Sequence, residues 1–281
     1  MSQTAQQLLL PKYEKPPVVE TVLGLQFNPL SAFTNAHLGA FWQSLGVEEW
    51  PMVTDKPLLP RQEERFTPDA QWGNALRLQL TQDPTARVQI RNHDQNRMIQ
   101  LQNGRIHLNW LGSEGDPYPH YTQIRNELET HWIHLVSFAA KQGLGDIVPD
   151  QWEVTYVNHI PKDGVWSSPA DWSFFKPLNP VVSIDGLIEA ESFSGEWHFI
   201  IPDRRGRLHV NWQHAKTGDE SEKEFIRLSL TARGPIDEKN TNRSILECID
   251  LGHQTVVCAF RDLMNDSANQ QWGLKNATAD S

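Results

Sequence analysis

The heptapeptide Gly-Arg-Ile-His-Leu-Asn-Trp at 104–110 returns as Gly-Arg-Leu-His-Val-Asn-Trp at 206–212, with five residues identical and two aliphatics exchanged. Both copies alternate. Ile106, Leu108 and Trp110 face one way, and Arg105, His107 and Asn109 the other. Leu208, Val210 and Trp212 oppose Arg207, His209 and Asn211 in the same manner. A period of two with one apolar face is the pattern of a half-buried antiparallel strand. Asn103-Gly104 before the first copy signals a tight hairpin with both turn residues at positive φ, pairing 97–102 with the repeat. Before the second copy, 203–206 closes a longer loop onto 196–202.

The flanking order predicts a duplicated architecture. An extended run at 18–27 opens the first half, with a helix near 32–45. Strands follow near 75–82, 86–92, 97–102 and 105–111. A helix over 121–142 carries apolar residues at 121, 124, 128, 132, 135 and 139 and stops at Gly143. The second half opens at 152–160 and continues with strands near 180–188, 193–201, 207–214 and 223–232. It closes with a helix near 245–264. Ser244 and Glu247 are spaced as a capping box. Ile245, Ile249, Gly252, Val256, Phe260 and Leu263 form its apolar stripe, with Gly252 letting another backbone approach. The expected fold is therefore α+β: two similar halves, 12–146 and 147–275, packed as one body. Each is an antiparallel sheet covered by a long C-terminal helix, and together the halves form a saddle or a continuous curved sheet. In the second half 162–180 replaces the early helix. Trp166, Trp172, Phe174 and Phe175 make it an ordered loop.

With 38% hydrophobic and 21% charged residues, the chain falls among globular proteins rather than disordered ones. A net charge of −10 argues against wrapping a phosphate backbone and suits a basic protein partner. Nucleic acid would need a local patch, and Arg204-Arg205-Gly206-Arg207 is the densest basic stretch. Cys248 and Cys258 ride one predicted helix about 15 Å apart, too far for a disulfide. That points to a reducing, cytoplasmic setting. No apolar run reaches the roughly 18 residues of a membrane span, and the N-terminus does not read as a signal peptide.

Glu127, His131 and His134 share one helix flank, but the spacing matches neither HExxH nor ExxH. His131 is expected to cap the apolar stripe and His134 to face water. Asp185, Glu189 and Glu191 read as surface charge. No GxSxG, Walker A or GxGxxG is present. No catalytic residue, metal or cofactor is therefore assigned. The polar faces Arg105/His107/Asn109 and Arg207/His209/Asn211 are the candidate binding residues, weighed against a plain solvated sheet face. Arg204, Arg205, Trp166 and Trp172 join them as loop anchors for a partner.

The segment Tyr13-Glu-Lys-Pro16-Pro17-Val-Val-Glu20 resembles the opening of an uncharacterised, sporadically distributed prokaryotic protein family with a Tyr-x-x-Pro-Pro-x-x-Glu strand entry. Val154-Thr155-Tyr156-Val157-Asn158-His159-Ile160 and the last helix, with His253 and Phe260 and running to Trp272-Gly273, extend the similarity. Relatives usually carry Arg where this chain has Thr155. The resemblance implies no activity. Its patchy distribution is similar to that of genes in mobile, toxin–antitoxin or phage-defence loci. From the residues themselves, Glu20 and His253 are expected to hold structural hydrogen bonds.

The expected function is a non-catalytic cytoplasmic interaction protein: an accessory subunit or inhibitor of a partner protein, encoded in a defence or toxin–antitoxin locus. The alternatives are a ligand or nucleic-acid sensor using the Arg-His-Asn faces, and a metal-dependent hydrolase or nuclease.

Overall fold

A computed structural model describes residues 10–66, 86–112, 118–176, 191–218, 223–236 and 242–275. The strands expected near 75–82 and 180–188, and with them Asp185 and Glu189, lie outside the described residues. The described chain runs β1 (Lys12–Tyr13), β2 (Val18–Phe27), α1 (Asn35–Leu45), β3 (Met52–Lys56), β4 (Arg87–Arg91), β5 (Arg97–Gln102), β6 (Arg105–Leu111) and α2 (Tyr121–Lys141). It continues through β7 (Pro149–Pro161), β8 (Ser194–Ile201), β9 (Gly206–Lys216), β10 (Glu224–Pro235), α3 (Asn242–Leu263), α4 (Asp266–Gln271) and β11 (Leu274–Lys275).

The molecule is α+β, built on one antiparallel sheet in the order β3-β4-β5-β6-β2-β7-β10-β9-β8, with β1 and β11 paired separately. At its centre β2 pairs with β7, Thr21 opposite Tyr156 and Leu25 opposite Trp152. Pro16-Pro17 leads into β2 as an extended entry.

One sheet face is apolar. Leu23, Ile99, Leu108, Val154, Val210 and Leu230 are buried on it. α2 packs over β6 and β2, and α3 over β7 and β10. The stripe of α3 falls as its spacing predicts, with Ile245, Ile249, Val256, Phe260 and Leu263 buried. Gly252 is indeed a point of close approach, to side chains rather than to backbone: a Cβ there would lie 2.7 Å from atoms of Trp152 and Val154. α3 begins at Asn242, so Ser244 sits inside the helix and not at its cap. α1 covers β4. Over β8 and β9 the aromatic segment takes a helix's place: Phe175 lies 5.4 Å from Trp212 and Trp172 lies 4.8 Å from Phe193, ring centre to ring centre.

The two heptapeptides do not occupy mirrored places. The first is β6, beside the central β2, and the second is β9, separated from the central β7 by β10. The 103–104 turn also differs from expectation. Gly104 alone is at positive φ. Asn103 spends its amide on the chain after β2, accepting from Leu30 N (2.9 Å) and donating to Leu30 O (3.0 Å). Among the described residues no helix is long and apolar enough to cross a membrane.

Candidate functional site

The two Arg-His-Asn sets point to the same sheet face, and neither is a plain solvated surface. Arg105, His107 and Asn109 are buried. Arg207 and His209 are half-buried, and Asn211 is exposed. The cover is the extended segment 57–66, which follows β3 and crosses the polar face. Leu59 N donates to Gln102 Oε1 (2.9 Å), and Arg105 Nη2 donates to Pro60 O (3.0 Å). Gln62 exchanges hydrogen bonds with Gln26. Glu64 sits at the far end with 4% of its side chain exposed and is held by His209, Arg233 and Arg207. Against the upward push of burial, the hydrogen bond from His209 and the neighbouring Arg233 and Arg207 hold its carboxyl below the usual range.

Between the two sets lies Glu153. Arg233 Nε donates to it at 2.7 Å. His107 Nε2 stands 3.8 Å from its other oxygen, outside hydrogen-bond distance, and has no hydrogen-bond partner among the described residues. Burial lowers the His107 pKa to about 4, so the ring is neutral at pH 7. Burial also lowers Arg105, to about 10. Asn109 is used at both ends, accepting from Gln100 and donating to Glu20 at 2.6 Å. That is the structural hydrogen bond expected of Glu20. Arg105, Arg207 and His209 thus hold 57–66 against the sheet, while Asn109 ties β6 to β5 and β2.

The loop anchors fare differently. Trp166 and Trp172 are both 2% exposed and donate indole N–H bonds to Ile160 O and Pro169 O. They are core, because large rings on a loop over an apolar sheet face are drawn inward. Arg204 and Arg205 are exposed. Arg204 reaches Phe66 O at 3.4 Å, and the Arg207 guanidinium lies 4.9 Å over the Phe66 ring.

His131 and His134 do not converge. His131 packs edge-on against Trp50 at 5.3 Å, while His134 is partly exposed, with Nε2 2.8 Å from Ser44 Oγ. Glu127 pairs with Arg97. Among the described residues no group of three or more His, Cys, Asp or Glu is placed to hold a metal. Cys248 and Cys258 are both free.

A second site lies on the apolar side of the sheet. A cavity of about 1210 Å³ opens between the start of α2, the middle of α3 and the β1/β11 ribbon, floored by β7 and β10. The chain has four tyrosines, Tyr13, Tyr118, Tyr121 and Tyr156. All four line this cavity.

Each hydroxyl has an acceptor within the chain. Tyr13 donates to Asn269 Oδ1 (2.7 Å), Tyr118 to the Tyr156 hydroxyl (2.8 Å) and Tyr121 to Asp250 Oδ1 (2.7 Å). The Tyr156 hydroxyl in turn lies 2.8 Å from His253 Nδ1. This is the hydrogen bond expected of His253. Asp250 is gripped by Arg125 through both oxygens, at 2.7 and 3.0 Å. Burial pushes the Tyr118, Tyr121 and Tyr156 hydroxyls up and lowers His253 to about 4. At neutral pH the Tyr118–Tyr156–His253 chain therefore carries no charge, and its phenols stay protonated.

Sequence reasoning placed Tyr13, Tyr156, Asn158, His253 and Phe260 in three separate segments and did not join them. All five line the cavity. A signal was available: the chain's rarest amphipathic ring stands at just four positions, two of them in the run Tyr118-Pro-His-Tyr121. Apolar-face positions 156 and 158 on β7, together with 253 and 260 on one flank of α3, would have joined the rest. No family model, no curated protein and no solved structure matches the chain.

Proposed function

We propose that the protein is a non-catalytic binding protein and that the tyrosine-lined cavity, not the Arg-His-Asn face, is where it binds. The observation that carries this is the gathering of all four tyrosines around one cavity with every hydroxyl held by an in-chain acceptor. Side chains fixed before a ligand arrives lose little entropy on binding. A concave, mostly apolar pocket with a few convergent polar groups is the usual form of a ligand site. The test is binding of an amphipathic aromatic probe, anilinonaphthalene sulfonate, to the wild type and to Val257→Trp, which fills the cavity from its α3 wall. Saturable one-site binding that Val257→Trp abolishes is expected. Binding that the variant leaves unchanged overturns the reading.

A second reading makes the molecule an accessory subunit that docks on a partner. One observation favours it: among the described residues β8 pairs on one side only, and it exposes Phe199 (45%) and Ile200 (55%) on its two faces. An extended basic segment of a partner would add there as a further strand, steered by the chain's −10 charge. Replacing Ile200 with Pro blocks strand addition. Loss of a stoichiometric complex with the product of a neighbouring gene is the expected result. A complex that survives the change sinks this reading.

The strand order also supports an ancestral duplication into two helix-covered units. From the central pair outward, β2-β6-β5-β4 and β7-β10-β9-β8 follow the same rule: first strand, last strand, then backwards. On this reading β6 corresponds to β10, so the repeated heptapeptides are not its mark.

A further inference from the structure

We infer that the cavity takes an aromatic carboxylate, its ring among the tyrosines and its acceptor oxygen on Nε2–H of His253. This rests on the reading of the cavity as the binding site and adds the chemistry of what enters it.

The tautomer follows from the hydroxyl chain. Tyr118 gives its proton to the Tyr156 oxygen, so Tyr156 has its own proton left for His253 Nδ1 at 2.8 Å. Nδ1 therefore accepts, and in a neutral imidazole the proton must sit on Nε2. No group among the described residues meets that nitrogen, yet it is not sealed off as a buried unsatisfied atom. Its ring lines the cavity. The ring cannot swing away, because Tyr121 stacks on it at 3.7 Å with planes 4° apart while Tyr156 holds Nδ1. Nε2–H is thus a fixed donor. The four phenol protons are all engaged elsewhere, and both oxygens of Asp250 are taken by Arg125.

The rim supplies the charge preference. Lys12 stands directly opposite Lys275 in the β1/β11 ladder, and both line the cavity. Lys275 is paired with Glu14 at 2.8 Å, whereas Lys12 has no ion-pair partner among the described residues. Glu14, also in the lining, balances the Lys275 ammonium, which leaves Lys12 as the cation that would meet a carboxylate. The apolar wall comes from Val256, Val257, Phe260 and Leu230. The aromatic body has Tyr13 and Phe260, set edge to face at 5.5 Å, to pack on.

Three probes that share one ring system separate the possibilities: 2-naphthoate, 2-naphthamide and 2-naphthylmethylamine, titrated by calorimetry into the full chain near neutral pH. Naphthoate is expected to bind best, naphthamide less well and the amine least. His253→Phe keeps the stacking partner and removes the donor, and should weaken naphthoate by roughly tenfold or more. Lys12→Ala should weaken naphthoate while sparing naphthamide. Nitrogen chemical shifts of the His253 ring give a readout independent of any variant's folding: the Nε2–H tautomer is expected, and Nδ1–H overturns the inference. If all three probes bind equally and Val257→Trp expels them, the cavity reading stands and the carboxylate inference falls. If none binds, both fall.

Discussion

Tyr121 lies flat on His253, ring centres 3.7 Å apart, and so ties the first turn of α2 to the middle of α3. Its hydroxyl reaches on to Asp250, one helical turn before His253. The two contributions separate by substitution. Tyr121→Phe keeps the stack and leaves Asp250 to Arg125, and should cost about 1 kcal/mol. Tyr121→Ala also empties the ring site, and should cost about 3 kcal/mol or more. Urea denaturation of both variants checks this. Equal losses would mean that the stack contributes nothing.

Glu64 is the clasp of segment 57–66. Arg207, Arg233 and His209 converge on its carboxylate, which is nearly shut from solvent. Glu64→Gln removes the negative charge on which Arg207, Arg233 and His209 converge, while Arg233 keeps Glu153. A loss of about 3 kcal/mol is expected, in line with breaking a buried pair from one side. Limited proteolysis should find new cleavage between Pro57 and Phe66 before any in the sheet. Cleavage that begins elsewhere would show that the segment is held by other means.

Acid should loosen the fold before the carboxylates titrate. His107, His131 and His253 are each lowered to about 4, chiefly by burial. Unfolded, they would bind protons near pH 6.5. Between these values the unfolded chain holds more protons than the folded one, so stability falls as pH drops through that window. Glu64 and Glu153 are lowered below the ordinary carboxylate range, and their contribution is lost only in stronger acid. Urea midpoints at about pH 7.5, 6 and 5 should decrease in that order. A flat profile over this range would contradict neutral buried rings.

Periodicity made the long elements legible. The stripe of α3 was readable residue by residue, and α2 begins and ends within a residue of its expected bounds. Strands β5 and β6 were legible because alternation and a turn glycine agree. The short pieces were not. β3, β1, β11 and α4 span two to six residues each, too few for a period to declare itself. The partners of the polar face were hidden for a different reason. Alternation says which residues share a face, but not that a distant segment will cross it. Nothing local to Glu64 announces His209, 145 positions away. The same limit hid the cavity, whose walls come from both ends of the chain.

Gly24 and His107 are opposed across the β2/β6 ladder, and the imidazole occupies the space a side chain at 24 would need. A Cβ on Gly24 would stand 2.3 Å from His107 Cδ2 and 2.8 Å from Nε2. His107 has little room to retreat. It is buried, with Glu153 on its far side. Gly24→Ala should therefore cost about 2–3 kcal/mol through overpacking, well beyond the small entropic gain of replacing a glycine. If the clash is the cause, shrinking the partner removes it. The double variant Gly24→Ala, His107→Ala should then be more stable than the sum of the single losses predicts, by about 1–2 kcal/mol of coupling. Denaturant midpoints for the wild type, both single variants and the double variant complete the cycle. Simple additivity would show that the ring does not rest on this glycine, and that some other feature of β2 requires it.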